Sequence, residues 1–276
     1  MRQYLLDRYP DPAGQLRLEG DAWHYLAGVR RLREGNVIEG RLPDGRTCRL
    51  RVVTVNRRER FLQLKLDGPC SENAESPDKA SVVRQEDGFS SSLPHIILLQ
   101  WIIKGQRMDL VVRQATETGV ARIIPVTGDR CLASESGHAG RERTARWQRI
   151  TREARQQSGS PVDTRVYEPL DLEKALALTE QIESSRPVSS LRLVLSEEPL
   201  ARESLHRYLV DSPETVTLAV GPEGGMTPGE MERLQNAGFC CVHFRTNVLR
   251  AETAALYGIA AVQTALTERV SWQPNE

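Results

Sequence analysis

The run Gly221-Pro222-Glu223-Gly224-Gly225 and the later run Val248-Leu249-Arg250-Ala251-Glu252-Thr253-Ala254 hold the residue types of this chain best suited to small-molecule chemistry. Glycine at 221, 224 and 225 tolerates positive φ and bares backbone N–H and C=O groups, so a ligand can approach closely. The second run opens a helix, where unpaired N–H groups favour a ligand carboxylate or a polar base edge. Arg250 offers a cation there, while Glu223 and Glu252 offer a base or a carboxylate that orients a ligand. Each run also has a plainer reading: an ordinary strand-to-helix turn, and a first-turn glutamate set against the helix dipole. Arg250 lies between Leu249 and the apolar run Ala254-Ala255-Leu256, and needs a partner if buried. The chain has no G-K-[ST] or G-x-G-x-x-G run, so the requirements for cradling a di- or triphosphate are not met.

These runs need rigid elements to place them. Val216–Val220 is short and apolar, which predicts a buried strand ahead of the glycine turn. Behind the turn, Thr227 reads as an N-cap, Pro228 as the first helical residue and Glu230 as the partner in a capping box, with Gly238 ending the helix. Upstream, the pattern predicts strands at His95–Ile102, Ala121–Val126 and Leu191–Leu195. Helices are predicted at Met108–Thr118, with Met108, Val111, Val112 and Ala115 on one face, and at Arg141–Gln157, with Trp147, Ile150 and Ala154 inward. Such alternation implies an α/β fold with a mostly parallel sheet covered on both faces.

Residues 69–93 are rich in Ser, Pro, Asp and Glu and read as a linker. Ahead of them, Val37–Leu66 alternates short apolar runs with turns such as Leu42-Pro43-Asp44-Gly45, which predicts a small β-barrel or sandwich. The segment Trp23–Val29 has helical spacing and leads into Arg30-Arg31-Leu32-Arg33. The expected organisation is therefore a domain over 1–68, a linker over 69–93 and a second domain over 94–276.

The 276 residues carry 37 Lys+Arg and 37 Asp+Glu, but residues 1–68 hold 14 of the former against 9 of the latter, a balance of +5. That excess attracts polyanions or simply solvates the surface. The five cysteines form no C-x-x-C pair, so no zinc site or disulfide framework is indicated and a reducing cytoplasm is expected. No metal is expected either. The first residues lack the apolar core of a signal peptide, and no run approaches the roughly 18 apolar residues that span a bilayer, so no membrane role is expected.

Five blocks in order carry a resemblance to a known family. They are Lys104-Gly105 with Met108-Asp109; Ala115-Thr116-Glu117-Thr118-Gly119-Val120; Arg146-Trp147 with Ile150 and Glu153-Ala154-Arg155-Gln156-Gln157-Ser158; and the two runs described first. The chain resembles the RsmE family of S-adenosylmethionine-dependent 16S rRNA (uracil-N3) methyltransferases of the SPOUT superfamily. His24-Tyr25-Leu26, Val29-Arg30-Arg31-Leu32 and Gly35 also resemble that family's PUA-like RNA-binding barrel.

The resemblance implies a SPOUT-type parallel sheet with a C-terminal trefoil knot, a homodimer, and 16S rRNA or the small ribosomal subunit as partner. The cofactor would lie against Leu195 and Ser196, the turn Gly221, Pro222, Glu223, Gly224 and Gly225, Phe244, and Val248, Leu249, Arg250, Ala251, Glu252 and Thr253. Arg250 would stabilise the anion, with Glu223 or Glu252 as base or orienting group. RNA would meet Arg30, Arg31, Arg33, Lys104, Arg130, Arg146 and Arg149, with Arg152 and Arg155 nearby. The chain departs from the family pattern at Gln114, Thr118, Ser160, Arg245 and Asn247, where lysine, leucine, arginine, glycine and arginine are usual. Two alternatives keep the same fold: an RNA-binding assembly protein without transfer activity, and an enzyme acting on another RNA base.

Overall fold

The computed structural model describes residues 2–71, 93–129, 138–186 and 188–268. Most of the expected linker at 69–93, and Arg130, lie outside the described residues. The rest forms two compact units, one comprising 2–71 with Gln156–Pro161 and the other the remaining described residues.

The first unit contains strands β1 (Tyr4–Leu5), β2 (Gln15–Glu19), β3 (Val37–Arg41), β4 (Thr47–Asn56) and β5 (Phe61–Leu66) in one sheet of order β1-β3-β4-β5-β2. β1 joins β3 in parallel and the other pairs are antiparallel. Period-two alternation does the sorting: Leu16 and Leu18 of β2, Leu50 and Val52 of β4, and Leu62 and Leu64 of β5 all enter one core with Leu26. The segment expected to be one helix over Trp23–Val29 is instead a four-residue α1 (Gly20–Trp23) followed by a π-helical turn over His24–Val29. The wider winding shows in Arg30 N–H donating to Tyr25 O, five residues back, and ends where Arg31 adopts φ 55°.

Cys48 is buried in this core, and that burial pushes its thiol from the ordinary 9.0 up to about 12. A raised folded-state value means that the thiol's contribution to stability is intact below pH 9 and is lost as pH rises toward 12. Iodoacetamide at pH 8 is expected to alkylate the partly exposed Cys70 at least about tenfold faster than Cys48, read by peptide mass spectrometry. Equal rates would contradict the burial argument.

The second unit contains β6 (His95–Trp101), α2 (Gln106–Glu117), β7 (Arg122–Thr127), α3 (His138–Ser158), β8 (Arg165–Val166), β9 (Leu170–Asp171), α4 (Leu172–Ser184), β10 (Ser190–Leu195), α5 (Leu205–Tyr208), β11 (Thr215–Val220), α6 (Pro228–Asn236), β12 (Cys240–Val242) and α7 (Ala251–Thr267). Its seven-stranded sheet runs β12-β10-β11-β6-β7-β8, with β9 also on β7, and every pairing is parallel. Both faces are covered. Ile96 and Leu98 of β6 pack with Met108, Val111 and Val112 of α2 and with Ala255, Ile259 and Val262 of α7. Their alternates Ile97, Leu99 and Trp101 pack on the other face with Leu172 and Ala175 of α4 and Leu234 of α6. Among the described residues no helix is long and apolar enough to cross a membrane.

Candidate active site

In open parallel sheets, ligands bind outside the carboxyl ends of the strands, where the strand order switches direction. Here that point falls between β11 and β6: from β6 the chain runs on to β7, while β10 to β12 fill the other side. The glycine turn leaves β11 at this point. β11 is buried along its whole length, from Thr215 to Val220, so the turn starts from a fixed end. Gly225 has φ 68°, and its N–H closes the turn on Pro222 O at 3.0 Å. A Cβ at Gly221 would press on Met226 Cγ at 3.1 Å.

The capping box anticipated from the sequence is present at Thr227 and Glu230. Glu230 does more than cap. Its side chain lies in a residue only 2 % exposed. Oε1 accepts Trp101 Nε1–H at 2.8 Å and Asp129 N–H at 2.9 Å, while Oε2 accepts Thr227 N–H at 2.6 Å. One carboxylate thus joins the turn to the ends of β6 and β7. Gly128 leaves room for it, because a Cβ there would lie 2.5 Å from Glu230 Oε1 and from the Trp101 indole. Asp129 also accepts from Arg233 Nη2 at 2.7 Å, and that guanidinium holds its carboxyl below the ordinary value.

Glu223 sits on the exposed rim of the turn. Its Oε1 meets Arg107 Nη1 at 2.8 Å and Lys104 N–H at 3.4 Å, tying the turn to the start of α2. On the other flank, Ser196 N–H donates to Val242 O at 2.9 Å, and His243 Nδ1 lies 3.2 Å from Ser196 O, so the exits of β10 and β12 are fastened together. Phe244 stacks edge-on against Tyr257 of α7, with centroids 4.9 Å apart. α7 approaches the sheet closely at Gly258, where a Cβ would come within 2.9 Å of Leu195 and 3.0 Å of Leu218.

Arg250 is the N-cap of α7 and provides no side-chain cap. It is exposed, so the partner that burial would have required is not needed. Glu252 is the reverse case, at 8 % exposure, and its Oε2 is buried with no hydrogen-bond partner among the described residues. An unpaired buried carboxylate oxygen in the first turn of a helix asks for a donor, from water or from a ligand. Gln100, near the end of β6, presents a second such acceptor: Nε2 donates to Trp101 O and Val220 O, and Oε1 has no partner among the described residues.

Neither Arg107 nor Gln100 was anticipated as functional, because each gains its meaning from non-local neighbours. Of the expected RNA contacts, Arg30, Arg31 and Arg33 are exposed after the π-helical turn, and Lys104 and Arg149 are exposed. Arg146 pairs with Asp109, which also accepts Trp147 Nε1–H at 3.2 Å. A cavity of about 1080 Å³ lies along α7, lined by His206, His243, Phe244, Arg245, Tyr257 and Ala261 among others. It shares only Phe244 with the expected cofactor residues. Arg245, one of the family departures, is exposed, so its side chain points away from the packed core. Among the described residues no group of three or more His, Cys, Asp or Glu is placed to hold a metal.

Residues 90–263 match the model of the RNA methyltransferase domain family. A ribosomal RNA small subunit methyltransferase E from Mycobacterium bovis is 28 % identical over 263 residues, covering 94 % of this chain and 90 % of that protein. The crystal structure of a ribosomal RNA small subunit methyltransferase E from Neisseria gonorrhoeae bound to S-adenosylmethionine superposes with a TM-score of 0.74 at 26 % identity, covering 96 % of this chain and 97 % of that one. A Legionella pneumophila structure with the same cofactor bound gives a TM-score of 0.77 at 24 % identity, covering 96 % and 97 %.

Proposed function

This chain belongs to the RNA methyltransferase domain family, in its ribosomal RNA small subunit methyltransferase E branch, and from that premise we propose how its residues act. The reaction is S-adenosylmethionine-dependent methylation of small-subunit ribosomal RNA, and the atom methylated is N3 of a uridine. One observation carries the reading: the family match over 90–263 encloses every segment of the crevice, from Leu195 to Thr253.

The crevice suits the cofactor chemically. Gly221–Gly225 offers close backbone approach, and the unpaired Glu252 Oε2 matches a ligand ammonium such as that of the methionine part. Leu195, Ser196, Phe244 and Val248–Thr253 complete the holding set. When bound, S-adenosylmethionine supplies an electrophilic methyl on a sulfonium. The protein's part is electrostatic. A protonated imide nitrogen is a poor nucleophile, so its proton must leave and the resulting anion, spread over two carbonyl oxygens, needs a cation. Arg250 fills that role, being exposed and without a side-chain cap to make. Glu223 is engaged by Arg107, which suits an orienting carboxylate better than a free base.

The target N3 edge is hidden in a paired helix, so the uridine is unpaired or splayed out. The first unit is a PUA-like barrel that adds RNA affinity through Arg30, Arg31 and Arg33. The second unit carries a trefoil knot at its C-terminal end, and two copies associate through α7, where Tyr257 is 43 % exposed beside Phe244. The site of action is the cytoplasm, where ribosomal subunits are built.

Calorimetric titration with S-adenosylmethionine and with its demethylated product is expected to give binding at one site per chain. Nucleoside mass spectrometry of 16S rRNA from cells lacking the gene should then lose 3-methyluridine. Absence of cofactor binding would favour an RNA-binding protein without transfer activity, and loss of a different methylated base would reassign the target.

A further inference from the structure

One neighbour of the glycine turn remains unassigned. The cofactor segments follow β10, β11 and β12, which lie side by side. β11 has a second neighbour, β6, paired to it as far as Val220 and Gln100. Beyond Gln100 the chain runs through the buried Ile102 and Ile103 to Lys104 and Gly105 and into α2, and polar groups stand beside these isoleucines. Gln100 presents its unpartnered buried oxygen, Lys104 is exposed, and Arg107 reaches across to the turn.

The Arg107–Glu223 pair lies on the rim of the glycine turn, with the two side chains 42 % and 32 % exposed. A guanidinium carries five N–H donors in a rigid fork. Arg107 Nη1 meets Glu223 at 2.8 Å, and among the described residues the guanidinium has no other ion pair, so its remaining edge can meet a second group. Glu223 in turn is held in register by Lys104 N–H at 3.4 Å. The cation is therefore oriented from the turn itself, on the side that the cofactor segments leave open.

We propose that Arg107 is a catalytic cation of the methyl transfer, held by Glu223 and directed at the carbonyl oxygens of the target base. The inference rests on the uracil-N3 reading above and adds a residue to it. With the cofactor against β10 to β12, the base approaches from the β6 side. There the N3–H proton passes to solvent, the N–CH₃ bond forms, and the C–S bond breaks with its electron pair retained on sulfur. Before the transfer completes, negative charge rests on N3 and the two flanking oxygens. A guanidinium within hydrogen-bonding reach of one oxygen lowers the cost of that charge. Arg250 then faces the base from the α7 side and Arg107 from the α2 side.

The test uses the full chain, small ribosomal subunits lacking the modification, and S-adenosylmethionine. Arg107→Ala is expected to lower kcat about 100-fold, with cofactor affinity by calorimetry unchanged within about threefold. Arg107→Lys should recover activity to within about tenfold of wild type, since the charge survives and the fork does not. Glu223→Gln, which loosens the orienting contact, should fall between the two. In Arg107→Ala the rise of kcat with pH should move to higher pH, because the N3 anion has lost a stabilising charge; a merely structural role would not produce this shift. Unchanged kcat in Arg107→Ala would overturn the proposal, as would a rise in KM for the subunit with kcat intact, which would mark Arg107 as an RNA-backbone contact. Wild-type protein that neither binds the cofactor nor transfers methyl would instead sink the underlying reading, so the two failures are distinguishable.

Discussion

Arg250→Ala is expected to lower kcat for methyl transfer about 100-fold or more while leaving the melting temperature of the ligand-free protein nearly unchanged. The separation follows from position. Arg250 is the N-cap of α7 but makes no side-chain cap, and it is exposed, so its removal breaks no helix contact and empties no core space. Surface substitutions of that kind usually change stability by less than about 0.5 kcal/mol. Loss of a preorganised cation at a developing anion costs about 3–4 kcal/mol of barrier. Stopped-turnover assays with methyl-labelled cofactor, run beside thermal melts, read both quantities. A large fall in melting temperature would mean that Arg250 supports the fold, and unchanged turnover would remove it from the chemistry.

The second large effect is on stability. Glu230→Ala strands three N–H donors, those of Trp101 Nε1, Asp129 and Thr227, in a site only 2 % exposed. A buried donor left without a partner costs about 1–3 kcal/mol, so a total of about 3–5 kcal/mol is expected once partial relaxation is allowed. For a chain of this size that corresponds to a melting temperature lower by roughly 10 °C. Glu230→Gln keeps acceptor capacity at one oxygen and should lose about half as much. If both variants melt like wild type, the hub is not holding the turn.

Much of this architecture was legible in the chain, and the reason is locality. The capping box at Thr227 and Glu230, the strand ending at Val220 and the inward face of Met108, Val111, Val112 and Ala115 are all encoded within a few residues of one another. What sequence pattern could not supply is pairing at a distance. β12 has three residues and no periodicity to announce it; its place beside β10 is fixed by Leu193, Val194 and Leu195 lying opposite Cys240, Cys241 and Val242. Arg107 is one more basic residue until Glu223, over a hundred positions away in sequence, is folded against it. The π-helical turn at His24–Val29 was missed because its side-chain pattern resembles that of an ordinary helix over so short a length.

The make-up of the first unit bears on how the chain is synthesised. Gln3 is buried, accepts from Arg41 Nε at 2.7 Å and donates to Ser160 O at 3.1 Å, and the amides of Arg2 and Gln3 both donate to Gln156 O. A nascent chain emerging N-terminus first has all five strands of this sheet, and the Arg41 partner of Gln3, by residue 66, yet must wait for residue 160 before Gln3 Nε2 reaches the Ser160 carbonyl. A fragment ending in the linker therefore lacks the Gln156 and Ser160 acceptors that the N-terminal residues use in the intact protein, and the first unit is completed only by a segment far along the chain.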